Sequence, residues 1–213
     1  MIKKYKYPRT YHVTWSEGCT SDDKKLITME HFKGKMVVVT EKMDGENTTI
    51  YSDGSNHARS VDSRYHDSRS YVKSLASKIC STGLILPEER ICGENLFAKH
   101  SIYYDNLDDY FLAFSIWDGN WCKSWESTIA RCVDVGIKTV PVLYRGVYDE
   151  KIIKNIKLRQ DMEGYVIRLD EGFYLNEFSK SVAKFVRKNH VQTDKHWMEQ
   201  EIVKNKLKES LMK

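Results

Sequence analysis

Residues 37–54 read VVVTEKMDGENTTIYSDG, and this stretch decides the class of fold. Val37, Val38, Val39 and Thr40 are β-branched and suit a pleated, half-buried strand. The run closes on a charge, Lys42, and Met43, Asp44 and Gly45 then have the composition of a sharp turn. A second run, Asn47 to Ser52, ends in Asp53-Gly54, a pair that favours a tight hairpin. Similar runs recur outward along the chain: KMVVVTEK (35–42), ERICGENLFA (89–98), DYFLAFSIWDG (109–119), EGYVIRLDEGFYL (163–175) and SVAKFVRK (181–188). Asp118-Gly119 marks another hairpin.

Helical spacing is confined to the gaps between these runs. Tyr71, Leu75 and Ile79 form one set, Trp125, Ile129 and Val133 a second that ends near Gly136, and Ile152, Ile153 and Ile156 a third. Strands outnumber helices and do not alternate strictly with them, which predicts an α+β domain with largely antiparallel sheets. From Asp194, DKHWMEQEIVKNKLKESLMK predicts a terminal amphipathic helix with Met198, Ile202, Leu207 and Leu211 near one face.

At 213 residues, 41% hydrophobic, with three prolines, the chain is long enough for one packed domain and is unlike a disordered sequence. The net charge of +4 is mild, but 184–213 holds eight Lys/Arg against four Asp/Glu, so a polyanionic partner would meet that end. The five cysteines, Cys19, Cys80, Cys92, Cys122 and Cys132, form no C-x-x-C pair and no zinc-type cluster with His, and read as reduced thiols. The N-terminus MIKKYKYPRT has no apolar signal segment, and no run approaches the ~20 apolar residues of a membrane helix. A cytoplasmic monomer without a membrane partner is expected.

A protonated lysine is a poor nucleophile, and burial at a strand end favours the free amine. Lys42 is thereby a candidate to attack a carbonyl or a phosphorus. A K-x-D-G string alone arises by chance in roughly one chain in twenty of this length. Three further charges in strand-like runs strengthen the case: Glu94, Glu163 and Lys184. Two carboxylates with two lysines suit a metal-nucleotide, the acids holding a divalent cation or a ribose hydroxyl and the lysines neutralising phosphate.

The segments EKMDGEN, CGENLFAKHSIYYDNL, YFLAFSIWD, MEGYVIRL and VAKFVRKNHVQTDKHW, in this order from about residue 41 to 197, resemble motifs I, III, IIIa, IV and V of the covalent nucleotidyltransferases. These are the ATP-dependent ligases and capping enzymes, and the resemblance is to the RNA ligase 2 type. It implies the nucleotidyltransferase fold around a nucleotide cleft, ATP as cofactor with Mg²⁺ or Mn²⁺, and joining of 3′-hydroxyl and 5′-phosphate ends through lysyl-AMP and an adenylated 5′ end. The implied partner is RNA or a nicked duplex, and the implied setting RNA repair.

By the same resemblance Lys42 is the nucleophile and Glu41 reads the adenine. Arg59 engages ribose and the nucleic-acid end, and Asn47 helps the sealing step. Glu94 contacts the ribose, Phe114 stacks on the purine, Glu163 is tied to the metal and Lys184 contacts the α-phosphate. From the residues alone, Glu41 and Arg59 could equally be surface charges and Phe114 ordinary sheet core.

Two departures stand out. The second lysine of the usual K-x-K is Val186 here, so Arg187 is the candidate substitute at the nucleic-acid end, provided that the strand twists or bulges. The chain also predicts a nucleotidyltransferase domain over 1–197 and a short helical extension over 198–213, with no OB-fold or separate C-terminal domain. A DNA ligase, a GTP-dependent capping guanylyltransferase and a non-catalytic nucleic-acid end-binding module are the alternative readings.

Overall fold

The computed structural model describes residues 2–188 and 201–209. In chain order the elements are β1 (Tyr11–His12), β2 (Met36–Lys42), β3 (Glu46–Tyr51), β4 (Asn56–Ala58), α1 (Ser70–Thr82), β5 (Glu89–Asn95), β6 (Phe111–Asp118) and β7 (Trp121–Cys122). They continue as α2 (Trp125–Asp134), β8 (Lys138–Thr139), β9 (Val142–Val147), α3 (Glu150–Lys154), β10 (Gly164–Leu169), β11 (Phe173–Tyr174), α4 (Phe178–Ser181) and β12 (Val182–Val186).

The strands form two sheets, one in the order β1-β12-β10-β2-β9 and the other β11-β7-β6-β5-β3-β4, with β8 added beside β6. Of the strand pairs among the described residues, β1–β12 and β6–β8 are parallel, as are the isolated bridges His12–Lys25 and Leu107–Leu207. The α+β class with largely antiparallel sheets is what the sequence predicts. Both predicted hairpins form, β3 to β4 and β6 to β7, with Gly54 at φ 78° and Gly119 at φ 53°, where a side chain would be strained.

β2 and β3 are contiguous in sequence yet lie in different sheets, so the turn at 43–45 carries the chain from one sheet to the other. Gly45 makes that passage possible, because a Cβ there would meet the Asn95 carbonyl oxygen at 2.6 Å. The run 163–175 likewise divides into β10 in the first sheet and β11 in the second.

Alternation along the strands then sorts the cores. Val37 and Val39 pack outward with Tyr165, Ile167 and Ala183, beneath Phe32 and Ile153. In the second sheet Ile50 and Ile91 pack against Val72, Ala76 and Ile79 of α1, which is closed by Gly83 in the left-handed region. α2 starts on a Ser124 cap that accepts from the Ser127 N–H, and α3 on Asp149. α3 ends at Lys154, short of Ile156.

The predicted terminal helix is not present over 201–208. This stretch is extended, with bridges from Lys204 to Ala98 and from Leu207 to Leu107. Asn205 explains the difference: it is buried, its Oδ1 accepts from the Tyr104 N–H at 2.9 Å, and its Nδ2 donates to the Leu96 carbonyl at 2.8 Å. These fixed partners outweigh a modest helix propensity. Residues 189–200 and 210–213, which include the NHVQTDKHW segment, Met198 and Leu211, lie outside the described residues.

Candidate active site

The facing sides of the two sheets enclose a cavity of about 300 Å³. Lys42, Val166 and Lys184 line it from the first sheet, and Asn47, Glu94 and Phe114 from the second. This volume is at the small end of the range for ligand pockets, enough for a nucleoside-sized group.

Lys42 is the last residue of β2 and lies opposite Gly164 in the β2–β10 register. Glu163, the residue before β10, therefore arrives beside it, and Lys42 Nζ donates to Glu163 Oε2 at 2.5 Å. The turn after Lys42 is pinned by Asp44, whose Oδ2 accepts from the N–H groups of Ser101 and Ile102, both at 2.7 Å. The Asp44 N–H in turn donates to the Tyr104 hydroxyl at 2.8 Å. The lysine thus stands on a backbone with little freedom, as a reacting group requires.

The charges are arranged differently from the sequence expectation. Burial pulls the Lys42 pKa down, but Glu163, then Glu94 and Asp44, outweigh it, so the ammonium is favoured beyond the ordinary lysine range. Lys184 shows the reverse: burial and repulsion from Lys42 lower its pKa in spite of Asp23 and Glu163. The free protein therefore holds its candidate nucleophile protonated, and the neutral amine must form when the surroundings change on binding.

Glu94 faces Asn47 across the β3–β5 pair. Burial, with the neighbouring carboxylates of Glu163, Asp44 and Glu46 adding to it and Lys42 opposing, pushes its pKa up to about 8. Glu94 and Glu163 both act on Lys42, and their donor atoms are all oxygen, so the pair fits a hard divalent cation.

A stability prediction follows from the sign of that shift. Below pH about 4.5 the Glu94 carboxyl is protonated in both states, and between about 4.5 and 8 only the unfolded chain has released the proton. Stability falls as pH rises through this window. Glu94→Gln, which cannot ionise, is expected to match the wild type near pH 5 and to melt at a higher temperature than it at pH 8. Melting curves across this range without divalent cations measure the effect, and parallel curves for the two proteins would exclude it.

Phe114, half-buried on β6, lines the cavity with Val166 on the opposite sheet, and its ring meets Tyr7 edge-on at 5.2 Å. The Asn47 Oδ1 is buried and, among the described residues, has no hydrogen-bond partner, so it is available to a bound donor. Arg59 is exposed at the margin of the cavity. The Glu41 carboxylate is buried and held by Arg159 Nη2 at 3.2 Å. In register Glu41 lies opposite Tyr165, whose ring belongs to the outer core, and Glu41 also lines the cavity.

Arg187 does not join Lys184 on the cavity wall. The β10–β12 register runs without a bulge to Val186 opposite Gly164, so strand alternation turns Arg187 away from the face that carries Lys184. Its guanidinium donates to the Gln160 carbonyl at 2.7 Å, outside the cavity. The residues that sequence reasoning missed are Tyr7, His12, Asp23 and Arg159. Asp23 lies in the polar stretch TSDDKK, which carries no periodicity, and its partner Lys184 is 161 positions away.

Two antiparallel sheets around a cleft, with a strand-end lysine inside it, make up the nucleotidyltransferase fold. The chain belongs to the RNA ligase family, whose model matches residues 35–186. Among solved structures it is similar to a Naegleria gruberi RNA ligase with PPi (TM-score 0.52, 15% identity, 87% of this chain and 62% of that one). It is also similar to two variants of that ligase with ATP and Mn, both at TM-score 0.51: one at 14% identity over 87% of this chain and 61% of that one, the other at 17% over 85% and 58%. The chain thus spans about three-fifths of the length of these solved ligases. No curated protein matches the sequence. Among the described residues no helix is long and apolar enough to cross a membrane.

Proposed function

We propose that this chain is an ATP-dependent RNA ligase acting through a covalent lysyl-AMP intermediate on Lys42. The observation that carries the reading is the placement of Lys42, at the end of a central strand, inside the cavity and bonded to Glu163 at 2.5 Å. The solved ligases of the same fold that hold ATP with Mn, and PPi, support the choice of nucleotide and of leaving group.

In the first step the Lys42 ammonium loses a proton to solvent, and the amine attacks the α-phosphorus of ATP. A P–N bond forms, the α–β P–O bond breaks, and pyrophosphate leaves with its electron pair. Glu163 accepts the Lys42 hydrogen bond and fixes the direction of attack, and Lys184 places positive charge against the α-phosphate. Phe114 and Val166 form an apolar slot for the base, and Glu94 lies within reach of the ribose. Glu163, with Glu94, would hold a divalent cation, which would supply positive charge against the phosphates. The AMP then passes to a 5′-phosphate, and a 3′-hydroxyl displaces it to seal the strand. Asn47 and Arg59 line the same cavity and are available to that end. The transferring unit acts as a monomer and takes in 201–208, which bridge to Ala98 and Leu107.

The test is incubation of the purified protein with labelled ATP or GTP and Mg²⁺ or Mn²⁺, read as covalent label after denaturation. Sealing of matched RNA, DNA and hybrid nicks is then measured. Label from ATP and sealing of RNA ends are expected. Label from GTP alone would replace the reading with a capping-type transferase, and no label from either would leave an end-binding protein.

A further inference from the structure

Residues 11–26 precede the stretch that the family model matches, yet they are built against β12. β1 pairs with β12 so that His12 lies beside Lys184, and the Val13 N–H donates to the Lys184 carbonyl at 2.8 Å. Asp23 follows in the next loop and lines the cavity together with Lys184. Its Oδ1 accepts from Lys184 Nζ at 3.3 Å.

The Asp23 carboxylate is itself held from two further directions. Oδ2 accepts from the Thr20 N–H at 3.2 Å and from the Thr20 hydroxyl at 3.0 Å, and His12 Nε2 faces the same oxygen at 3.3 Å. His12 is 1% exposed, and its Nδ1 lies 2.7 Å from the Ser16 hydroxyl. Ser16 Oγ in turn accepts from the Val186 N–H at 3.0 Å. When the Ser16 hydroxyl donates to Nδ1, the imidazole carries its proton on Nε2, which lies close to Asp23 Oδ2 but is not aligned with it as a hydrogen bond. A run of contacts thus leads from the β12 backbone through Ser16 and His12 to the carboxylate that holds Lys184.

We propose that Asp23 is a positioning residue for the transfer reaction: it aims the Lys184 ammonium into the cavity and keeps it charged, and His12 and Thr20 hold it in place. The inference rests on the adenylyl-transfer reading above. Lys184 needs such a partner because of what surrounds it. Lys42 from β2 repels it, Glu163 before β10 is committed to Lys42 at 2.5 Å, and Glu94 on β5 belongs to the opposite sheet. His12 on β1 is disfavoured as a cation by its burial, and Asp22 is the remaining acid of the same loop on the cavity wall. Asp23 is therefore the countercharge that Lys184 does not share with Lys42. An ordinary surface pair is solvated and loosely held, whereas these side chains are 20% and 27% exposed and the carboxylate has Thr20 and His12 as fixed neighbours.

The expected signature is a change of pH profile. If Lys184 must be an ammonium to receive ATP, the rate of lysyl-AMP formation per free ATP has an alkaline limb set by this lysine in the free enzyme. An opposite charge at this range moves a pKa by about one to three units. Asp23→Asn is therefore expected to move the limb at least about one pH unit toward acid and to lower the rate about tenfold or more at pH 8, with ATP saturation recovering part of it. Asp23→Glu keeps the charge and is expected to restore the limb. Lys184→Arg, whose charge is independent of pH, is expected to lose it.

Single-turnover adduct formation from labelled ATP across pH 6–10, with a thermal melt of each variant, carries the test. A profile for Asp23→Asn that superimposes on the wild type, or falls uniformly without moving, would overturn the proposal. So would an unchanged limb in Lys184→Arg, which needs no substitution at Asp23. Absence of adduct in the wild type at every pH would remove the adenylyl-transfer reading itself, an outcome distinct from a fault in Asp23.

Discussion

Lys42→Arg is expected to form no covalent adduct from labelled ATP, a loss on the order of 10⁴-fold or more by comparison with other covalent enzymes deprived of their nucleophile. Arginine is the informative replacement because of the 2.5 Å contact with Glu163, whose side chain is 8% exposed. Alanine would leave that carboxylate buried without its cation, which costs about 3–5 kcal/mol where a buried pair is broken. Lost activity in Lys42→Ala would then be confounded with lost structure. Arginine preserves the positive charge but is never deprotonated in proteins, so it cannot become a neutral nucleophile. The variant should melt close to the wild type and remain unlabelled. A labelled Lys42→Arg protein would show that the covalent bond is made elsewhere.

Gly164→Ala should produce the largest loss of stability of any single methyl added near the site. Gly164 is opposite Lys42 on one side and Val186 on the other, at the centre of the first sheet. A Cβ there would lie 2.0 Å from the Phe185 carbonyl oxygen and 2.9 Å from its carbonyl carbon, backbone atoms that cannot swing aside as a side chain could. β10 or β12 must shift, with a cost of about 3 kcal/mol or more. For a domain of this size that is a fall of roughly 6–12 °C in melting temperature. Gly34→Ala serves as a control for added volume, since nothing lies within 4 Å of its Cβ position, although its φ of 72° adds backbone strain. Equal losses in the two variants would mean that the close approach at Gly164 is relaxed cheaply.

Much of the fold could be read along the chain because its strands are strongly patterned. Val37–Thr40, Phe111–Trp117 and Val166–Leu169 carry β-branched and aromatic side chains, and Gly54 and Gly119 sit where hairpins need them. What a strand pattern does not encode is which sheet a strand joins, so the passages at 43–45 and 170–172 came only with the structure. The terminal segment misled for a related reason: its helical spacing is genuine, but Asn205 finds fixed partners in Leu96 and Tyr104 far away in sequence. At the site, the residues in patterned strands, Lys42, Glu94, Phe114 and Lys184, reach the cavity as expected. Arg187 does not, because alternation holds without a bulge, and Asp23 was invisible because a polar loop shows its purpose only when a distant strand packs on it.

The division of β2 and β3 between sheets also orders events while the chain is being made. The strands β3, β4, β5 and β6 have all been synthesised once Asp118 is reached, and they can pair without the rest. β2 is made before them but waits for β9 and β10, and Glu163 follows Lys42 by 121 residues. At 5–20 residues per second, the 121 residues from Lys42 to Glu163 take about 6–24 s to make. Such non-local pairing is also intrinsically slow. The nascent chain therefore carries an apolar strand, exposed to aggregation, until β9 and β10 have been made.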